Sequence, residues 1–215
     1  MAAHEPRYPR HYPVNLLLRG RRCLVVGGGR VAAQKVRGLL DAEADVHVIA
    51  PDVDEAIAAL PGVTIDRRAY RAGDVAGHRI VVAATNDPDV NHAVAAEAEA
   101  ADIWVNVADD PDHCTFTLPS RVRRGPVLVT FSTAGTSPAL STWLRRRFED
   151  EIGPEYEVLA GLLAEARDEM RARGESTEGR GWQQALDSGM LELVRQGNLT
   201  EAKERLQACL SSSSD

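Results

Sequence analysis

Through the first half of the chain, short apolar runs alternate with stretches of helical spacing, and turn formers mark most of the boundaries. Cys23–Val26 is uninterrupted and apolar, which predicts a buried strand, and Val31–Leu40 follows as a helix. Asp45–Ala50 and Val63–Arg67 read as a second and a third strand. Arg79–Ala84 is a fourth, apolar almost throughout, as a strand buried on both faces must be. Asp87 suits an N-cap and Pro88 a first helical position, opening an alanine-rich helix that runs to Ala101. Ile103–Val107 reads as a fifth strand, and Val14–Leu18 as a short strand ahead of the others. Strands alternating with helices predict an α/β fold with an open, doubly wound parallel sheet.

Beyond Asp112 the pattern changes. Thr115–Leu118 and Pro126–Ser132 are two β-like runs joined by Pro119–Gly125 with no helix between them, so an antiparallel or exchanged element is expected. Ser137 as N-cap and Pro138 behind it start a helix that continues from Ala139 to Ile152, where Gly153 and Pro154 stop it. From Glu155 onward only helical spacing remains. Leu159, Leu162, Leu163, Ala166 and Met170 form one stripe, Trp182, Ala185, Leu186 and Val194 a second, and Leu199, Ala202 and Leu206 a third. The residues from Arg173 to Gly181 form the loop between the first two stripes. The expected organisation is a sheet domain over 1–112, a β/α element over 113–152, a small helical domain over 153–210 and a disordered tail over 211–215.

Between the first strand and the first helix stands Gly27-Gly28-Gly29-Arg30-Val31-Ala32, with Gly27-x-Gly29-x-x-Ala32 in the spacing of a dinucleotide fingerprint. Gly27 permits the tight turn, Gly29 lets backbone approach a pyrophosphate, and Ala32 lets helix and strand pack closely. The helix-start N–H groups at Arg30 and Val31, at the positive end of the helix dipole, suit the phosphates. An acid near the end of the second strand, which would hold the adenosine ribose, is missing. That position reads Ala50-Pro51, with Asp52 beyond the proline, and no arginine is there for a 2′-phosphate. NAD is the expected cofactor.

The 215 residues carry 25 Lys and Arg against 32 Asp and Glu, a formal net charge of -7, which points away from nucleic acid and membrane surfaces. Three scattered cysteines without CxxC spacing fit a reducing cytoplasm, and no apolar run is long enough for a signal core or a bilayer span. Against the acidic balance, the stretch from Arg121 to Arg147 holds six arginines and no acid. Arg145, Arg146 and Arg147 each have an acid four residues on and read as a solvated helix face. Arg121, Arg123 and Arg124 lack acids at that spacing, and their guanidinium forks suit a polycarboxylate. Thr136 and Ser137, at a helix start, add an anion site. Asn106–His113 lies past the carboxyl end of the fifth strand, the edge that borders the ligand crevice in such sheets. A carboxylate there can take a proton while hydride leaves a substrate, or else cap a turn. His113 and Cys114 have no partner at ligand spacing, so no metal site is expected.

These residues resemble the precorrin-2 dehydrogenase / sirohydrochlorin ferrochelatase family, the dehydrogenase-chelatase part of siroheme synthase. The matching stretches are Tyr12–Leu16, Val25–Lys35, Ala83–Asp87, Asn106–Asp110, Phe116–Ser120 and Ser132–Pro138, in family order. The resemblance implies a Rossmann-type sheet, NAD-dependent oxidation of precorrin-2 to sirohydrochlorin and, in some members, insertion of Fe2+ to give siroheme. It implies a homodimer whose interface is the 113–152 region, a catalytic aspartate at Asp109, and a nicotinamide-proximal loop at Thr85, Asn86 and Asp87. The polycarboxylate is then the tetrapyrrole. Two other readings compete with this one. A non-catalytic carrier or sensor would need no acid at Asp109. A dehydrogenase for a small alcohol would need a Tyr-x-x-x-Lys pair or zinc ligands, and the chain has neither.

Overall fold

A computed structural model describes residues 11–179 and 181–212; the first ten residues and the last three of the expected tail lie outside it. The chain divides into two compact units between Leu118 and Pro119.

The first unit is built on five strands, β1 (Arg22–Val26), β2 (Asp45–Ile49), β3 (Val63–Asp66), β4 (Ile80–Ala83) and β5 (Trp104–Val107). All pair in parallel, in the order β3-β2-β1-β4-β5. The chain runs outward from β1 through β2 to β3, then returns to the other side of β1. The direction of winding therefore reverses between β1 and β4. Alternate residues feed two cores. Cys23, Val25, Val46, Val48 and Val82 face α1 (Arg30–Leu40) and α2 (Glu55–Ala58), which contribute Ala32, Ala33, Val36 and Ile57. Leu24, Val26, Val81, Ala83, Val105 and Val107 face α3 (Pro88–Ala100), which contributes Val94, Ala95 and Ala98. Each fully buried Val or Leu stabilises the unit by about 1.5–3 kcal/mol, so two-sided burial explains why these strands are apolar at consecutive positions.

Three local readings are corrected here. Val14–Leu18 is not a strand: only Leu18 enters the core, and Leu17 is exposed. This segment runs straight into β1, whose two edges are already taken by β2 and β4. Thr115–Leu118 is not a strand either. Thr115 is tied to β5 by its backbone N–H on the Val105 carbonyl at 2.9 Å and by its hydroxyl, which accepts from Val105 N–H at 2.8 Å. The strand of this region is β6 (Ser120–Arg124), inside the expected linker, and it pairs antiparallel with β7 (Val127–Phe131). Gly125, at φ +52°, and Pro126 close the hairpin.

In the second unit the hairpin is followed by α4 (Pro138–Glu151), α5 (Glu155–Ala172), α6 (Gly181–Asp187), α7 (Met190–Arg195) and α8 (Leu199–Ser211). Ser137 caps α4, its hydroxyl accepting from Leu140 N–H at 3.2 Å. The second apolar stripe is split between α6 and α7 at Gly189, whose φ of +90° suits glycine and ends helical continuity. Arg205 fastens the break by donating to the Ser188 carbonyl at 2.6 Å. Ser211, read as part of the tail, is the last helical residue, and its hydroxyl donates to the Gln207 carbonyl. Leu159, Leu162, Ala185, Met190, Val194, Ala202 and Leu206 form the core of α5 to α8. Among the described residues, no helix is long and apolar enough to cross a membrane.

Leu206 is fully enclosed and Leu199, on the same helix, is 40% exposed. Leu206→Ala is expected to cost about 2–5 kcal/mol and Leu199→Ala less than about 1 kcal/mol, read from urea unfolding midpoints. Equal costs would mean that the two side chains do not differ in burial as described.

Candidate functional site

The end of β1 meets the start of β4's following loop at the point where the sheet reverses its winding, the position at which open α/β sheets form a ligand crevice. Gly27 has φ +126°, and a Cβ there would lie 2.3 Å from the Ala84 carbonyl oxygen. At Gly28 a Cβ would lie 2.0 Å from the Asp52 carbonyl oxygen, and the Gly28 carbonyl accepts from Asp54 N–H at 2.8 Å. Nothing lies within 4 Å of the Cβ position at Gly29. The division between Gly27 at the tight turn and Gly29 at the open position agrees with the sequence expectation, and the close approach at Gly28 is added to it. Gly27 and Gly28 let backbone pack on backbone, and only Gly29 faces open space. Gly29 is also the N-cap of α1 and supplies no side chain, so the first N–H groups of α1, at Arg30 and Val31, receive no side-chain cap. That combination of an open Cβ position and uncapped N–H groups fits a dinucleotide phosphate.

Ala50 is buried under the glycine turn, while Pro51 and Asp52 are exposed. Thr85, Asn86 and Asp87 follow β4 and are shaped by Asn91, a buried residue of α3. Thr85 N–H donates to Asn91 Oδ1 at 3.1 Å, and Asn91 Nδ2 donates back to the Thr85 carbonyl at 3.2 Å. Asp87 caps α3, its carboxylate accepting from Asp89 and Val90 N–H. Asn91 was not foreseen as part of the site. Its helical spacing with Val94, Ala95 and Ala98 was the available signal, since an asparagine on a buried stripe needs partners.

At the carboxyl end of β5, Asp109 is exposed and holds φ +60°, a left-handed conformation uncommon outside glycine. Its carboxylate makes no hydrogen bond among the described residues. Lys35 of α1 is pushed below the usual lysine range by burial, against the opposing pull of Cys114 and the Asp109 carboxylate. Lys35 is a second residue missed in sequence. It lies 74 positions from Asp109, and no local spacing reports the proximity. Asp110 is held differently. Its Oδ2 meets His113 Nδ1 at 2.8 Å and His92 Nε2 at 2.9 Å, and these bonds keep its carboxyl below the usual range. The expectation that His113 has no ligand partner is thereby corrected, because the fold brings His92, Asp110 and His113 together. Cys114 turns inward. Its sulfur accepts from Val107 N–H at 3.1 Å, and burial raises its thiol.

The residues expected to bind substrate stand in the second unit. Arg121 and Arg123 are exposed on one face of β6; Arg124, on the other face, donates to the Glu149 carbonyl at 3.0 Å. Thr136 donates its hydroxyl to the Thr133 carbonyl at 2.6 Å, and Ser137 is the α4 cap. Arg145 and Arg147 pair with Glu149 and Glu151, as the helix spacing foretold.

Residues 14–120 match the model of a family described as putative NAD(P)-binding. The siroheme synthase of Nitrosomonas europaea is 40% identical over 211 residues, covering 95% of this chain and 44% of that protein. The siroheme synthase of Pseudomonas entomophila is 39% identical over 203 residues, covering 92% of this chain and 44% of its own length. The chain thus spans less than half the length of these curated relatives. Among solved structures, SirC, a precorrin-2 dehydrogenase, superposes with a TM-score of 0.71 at 26% identity, covering 94% of this chain and all of that one.

The glycine geometry sets an order of tolerance. Gly27→Ala and Gly28→Ala each force a methyl group into a carbonyl oxygen and are expected to lower stability by more than about 1 kcal/mol, whereas Gly29→Ala costs less than that. Thermal unfolding of the three variants checks the order, and a Gly29 variant as unstable as the other two would contradict the open space assigned to it.

Proposed function

We propose that the chain is a member of the precorrin-2 dehydrogenase / sirohydrochlorin ferrochelatase family and that it oxidises precorrin-2 to sirohydrochlorin with NAD+. The observation that carries the proposal is the open, uncapped Gly29 turn at the reversal of the sheet, with an exposed aspartate on the same carboxyl edge. When bound, NAD+ supplies the hydride acceptor. The N–H groups of Gly29 and of the first α1 residues, Arg30 and Val31, would hold its phosphates; Ala50 and Pro51 would flank the adenosine side. Thr85, Asn86 and Asp87, braced by Asn91, would border the nicotinamide.

Oxidation removes one hydride and one proton from the tetrapyrrole. Asp109 is the acceptor we assign for the proton. It is exposed, lacks a hydrogen-bond partner among the described residues, and sits on a backbone twist that turns it away from the regular strand path. Asp110, committed to two histidines, is the poorer base. Arg121, Arg123, Arg124, Thr136 and Ser137 would hold the substrate's eight carboxylates. Arg121 and Arg123 share an exposed strand face, and Arg124 donates to the Glu149 carbonyl.

Two further parts are proposed on the same premise. The relatives' name, siroheme synthase, supports insertion of Fe2+, taken as a substrate, into sirohydrochlorin. A homodimer is supported by α4, where Leu140 and Trp143 are 46% and 55% exposed and only Ser141 is buried. Trp143→Glu is accordingly expected to leave a monomer in sedimentation, and a wild-type monomer would remove this part of the proposal.

Anaerobic incubation with precorrin-2 and NAD+ tests the oxidation. Wild type is expected to turn over, Asp109→Ala to lose at least about a hundredfold, the scale of one general base, and Asp110→Ala far less. Gly29→Asp should stay folded yet lose NAD+ binding in calorimetry. Replacing all three strand arginines by Ala should raise the KM for precorrin-2 and leave NAD+ binding intact. A wild-type protein that binds NAD+ and tetrapyrrole without turnover would favour the non-catalytic carrier instead.

A further inference from the structure

The residues after β5 hold a group of side chains that proton abstraction does not use. His92 projects from α3, Asp110 from the turn after β5, and His113 from the single helical turn at Pro111–His113. Three separate pieces of chain thus meet at one carboxylate. His92 Nε2 and His113 Nδ1 both point to the same oxygen, Asp110 Oδ2, at 2.9 and 2.8 Å, and the two imidazole rings stack with centroids 4.2 Å apart. One donor atom from each residue lies within 4.8 Å of the others. The side chains are 45%, 28% and 45% exposed in that order, so solvent reaches the group.

We propose that His92, Asp110 and His113 form a binding site for one divalent first-row transition cation, held by two imidazole nitrogens and one carboxylate oxygen. Cis ligands on an octahedral ion, each about 2.1 Å from it, stand about 3.0 Å apart, so the nitrogen–oxygen distances need to open by only one or two tenths of an ångström. A neutral imidazole carries its proton on one nitrogen only, and a change of tautomer converts each ring from hydrogen-bond donor to ligand. Two imidazoles favour Fe2+, Co2+, Ni2+ or Zn2+ over Mg2+ and Ca2+, which take oxygen ligands. Three protein ligands leave coordination positions open, the arrangement of sites that hand on or react at a metal rather than of closed structural sites. That the held cation is cargo for a macrocycle rests on the proposed function; the binding itself does not.

The competing account is a hydrogen-bonded triad that only braces the turn after β5. Titration of the full chain with Co2+, without NAD+ or tetrapyrrole, separates the two. The site is supported by binding of one equivalent that excess Mg2+ does not displace, by paramagnetic broadening of the His92 and His113 imidazole signals, and by at least tenfold weaker binding in His92→Ala and in His113→Ala. Unchanged affinity in both variants, or broadening centred on other histidines, overturns it. Because both histidines are half exposed, the variants are expected to fold, and the broadening in wild type reports on the site without any variant. Precorrin-2 oxidation assayed separately in chelator keeps the failure of this site distinct from failure of the function.

Discussion

At the end of β1 the main chain passes so close to Ala84 and Asp52 that a methyl group at Gly27 or Gly28 would lie 2.3 or 2.0 Å from a carbonyl oxygen. Most of the first unit's useful geometry follows from these two approaches. The first joins the ends of β1 and β4 at the point where the sheet changes direction. The second lets the chain after β2 fold over the turn, where Asp54 N–H bonds to the Gly28 carbonyl. With both neighbours drawn in, α1 starts abruptly at Arg30, and its first N–H groups face outward without a cap. A larger residue at either glycine would separate the strand ends and lose the crevice along with the packing.

The same carboxyl edge shows two neighbouring aspartates in different states. Asp110 is drawn toward the protein by two histidines and kept ionised by them. Asp109 is pushed out by a left-handed backbone and left to solvent and to the charge of Lys35. Adjacent identical residues thus acquire separate chemistries because a single φ reversal sends successive side chains to different surroundings. The inward turn of Cys114 belongs to the same arrangement: its sulfur accepts from Val107 N–H and pins the return of the chain against β5.

In the second unit polar capping and small turns do comparable work. Ser137 starts α4, Gly125 with Pro126 closes the hairpin, and Gly189 divides one apolar stripe into two short helices around Met190. The apolar positions of α5 to α8 are mostly enclosed, whereas α4 keeps Leu140 and Trp143 in solvent. Phe148 of α4 packs on Phe131 of the hairpin, so the helix carries one covered and one uncovered apolar side.

The local elements were largely legible in the sequence, because what decides them is local. Runs such as Ile80–Ala83 must be strands when buried on both faces, Asp87 and Ser137 bring their own capping oxygens, and the glycine spacing after Val26 marks a turn by chain geometry alone. Position after a strand pointed to the Asp109–Asp110 pair, and the family resemblance to Asp109 within it. Its left-handed backbone was not legible, and neither was the packing role of Gly28, since that depends on the Asp52 carbonyl that lies against it. Val14–Leu18 and Thr115–Leu118 look like strands by composition; they fail as strands because pairing edges are a property of the assembled sheet. Sheet order alone brings Lys35 near Asp109, and the packing of α3 beside β5 brings His92 to Asp110 and His113. Periodicity and capping determine what each segment becomes; which side chains then meet is decided by long-range burial, which carries no signature at any single position.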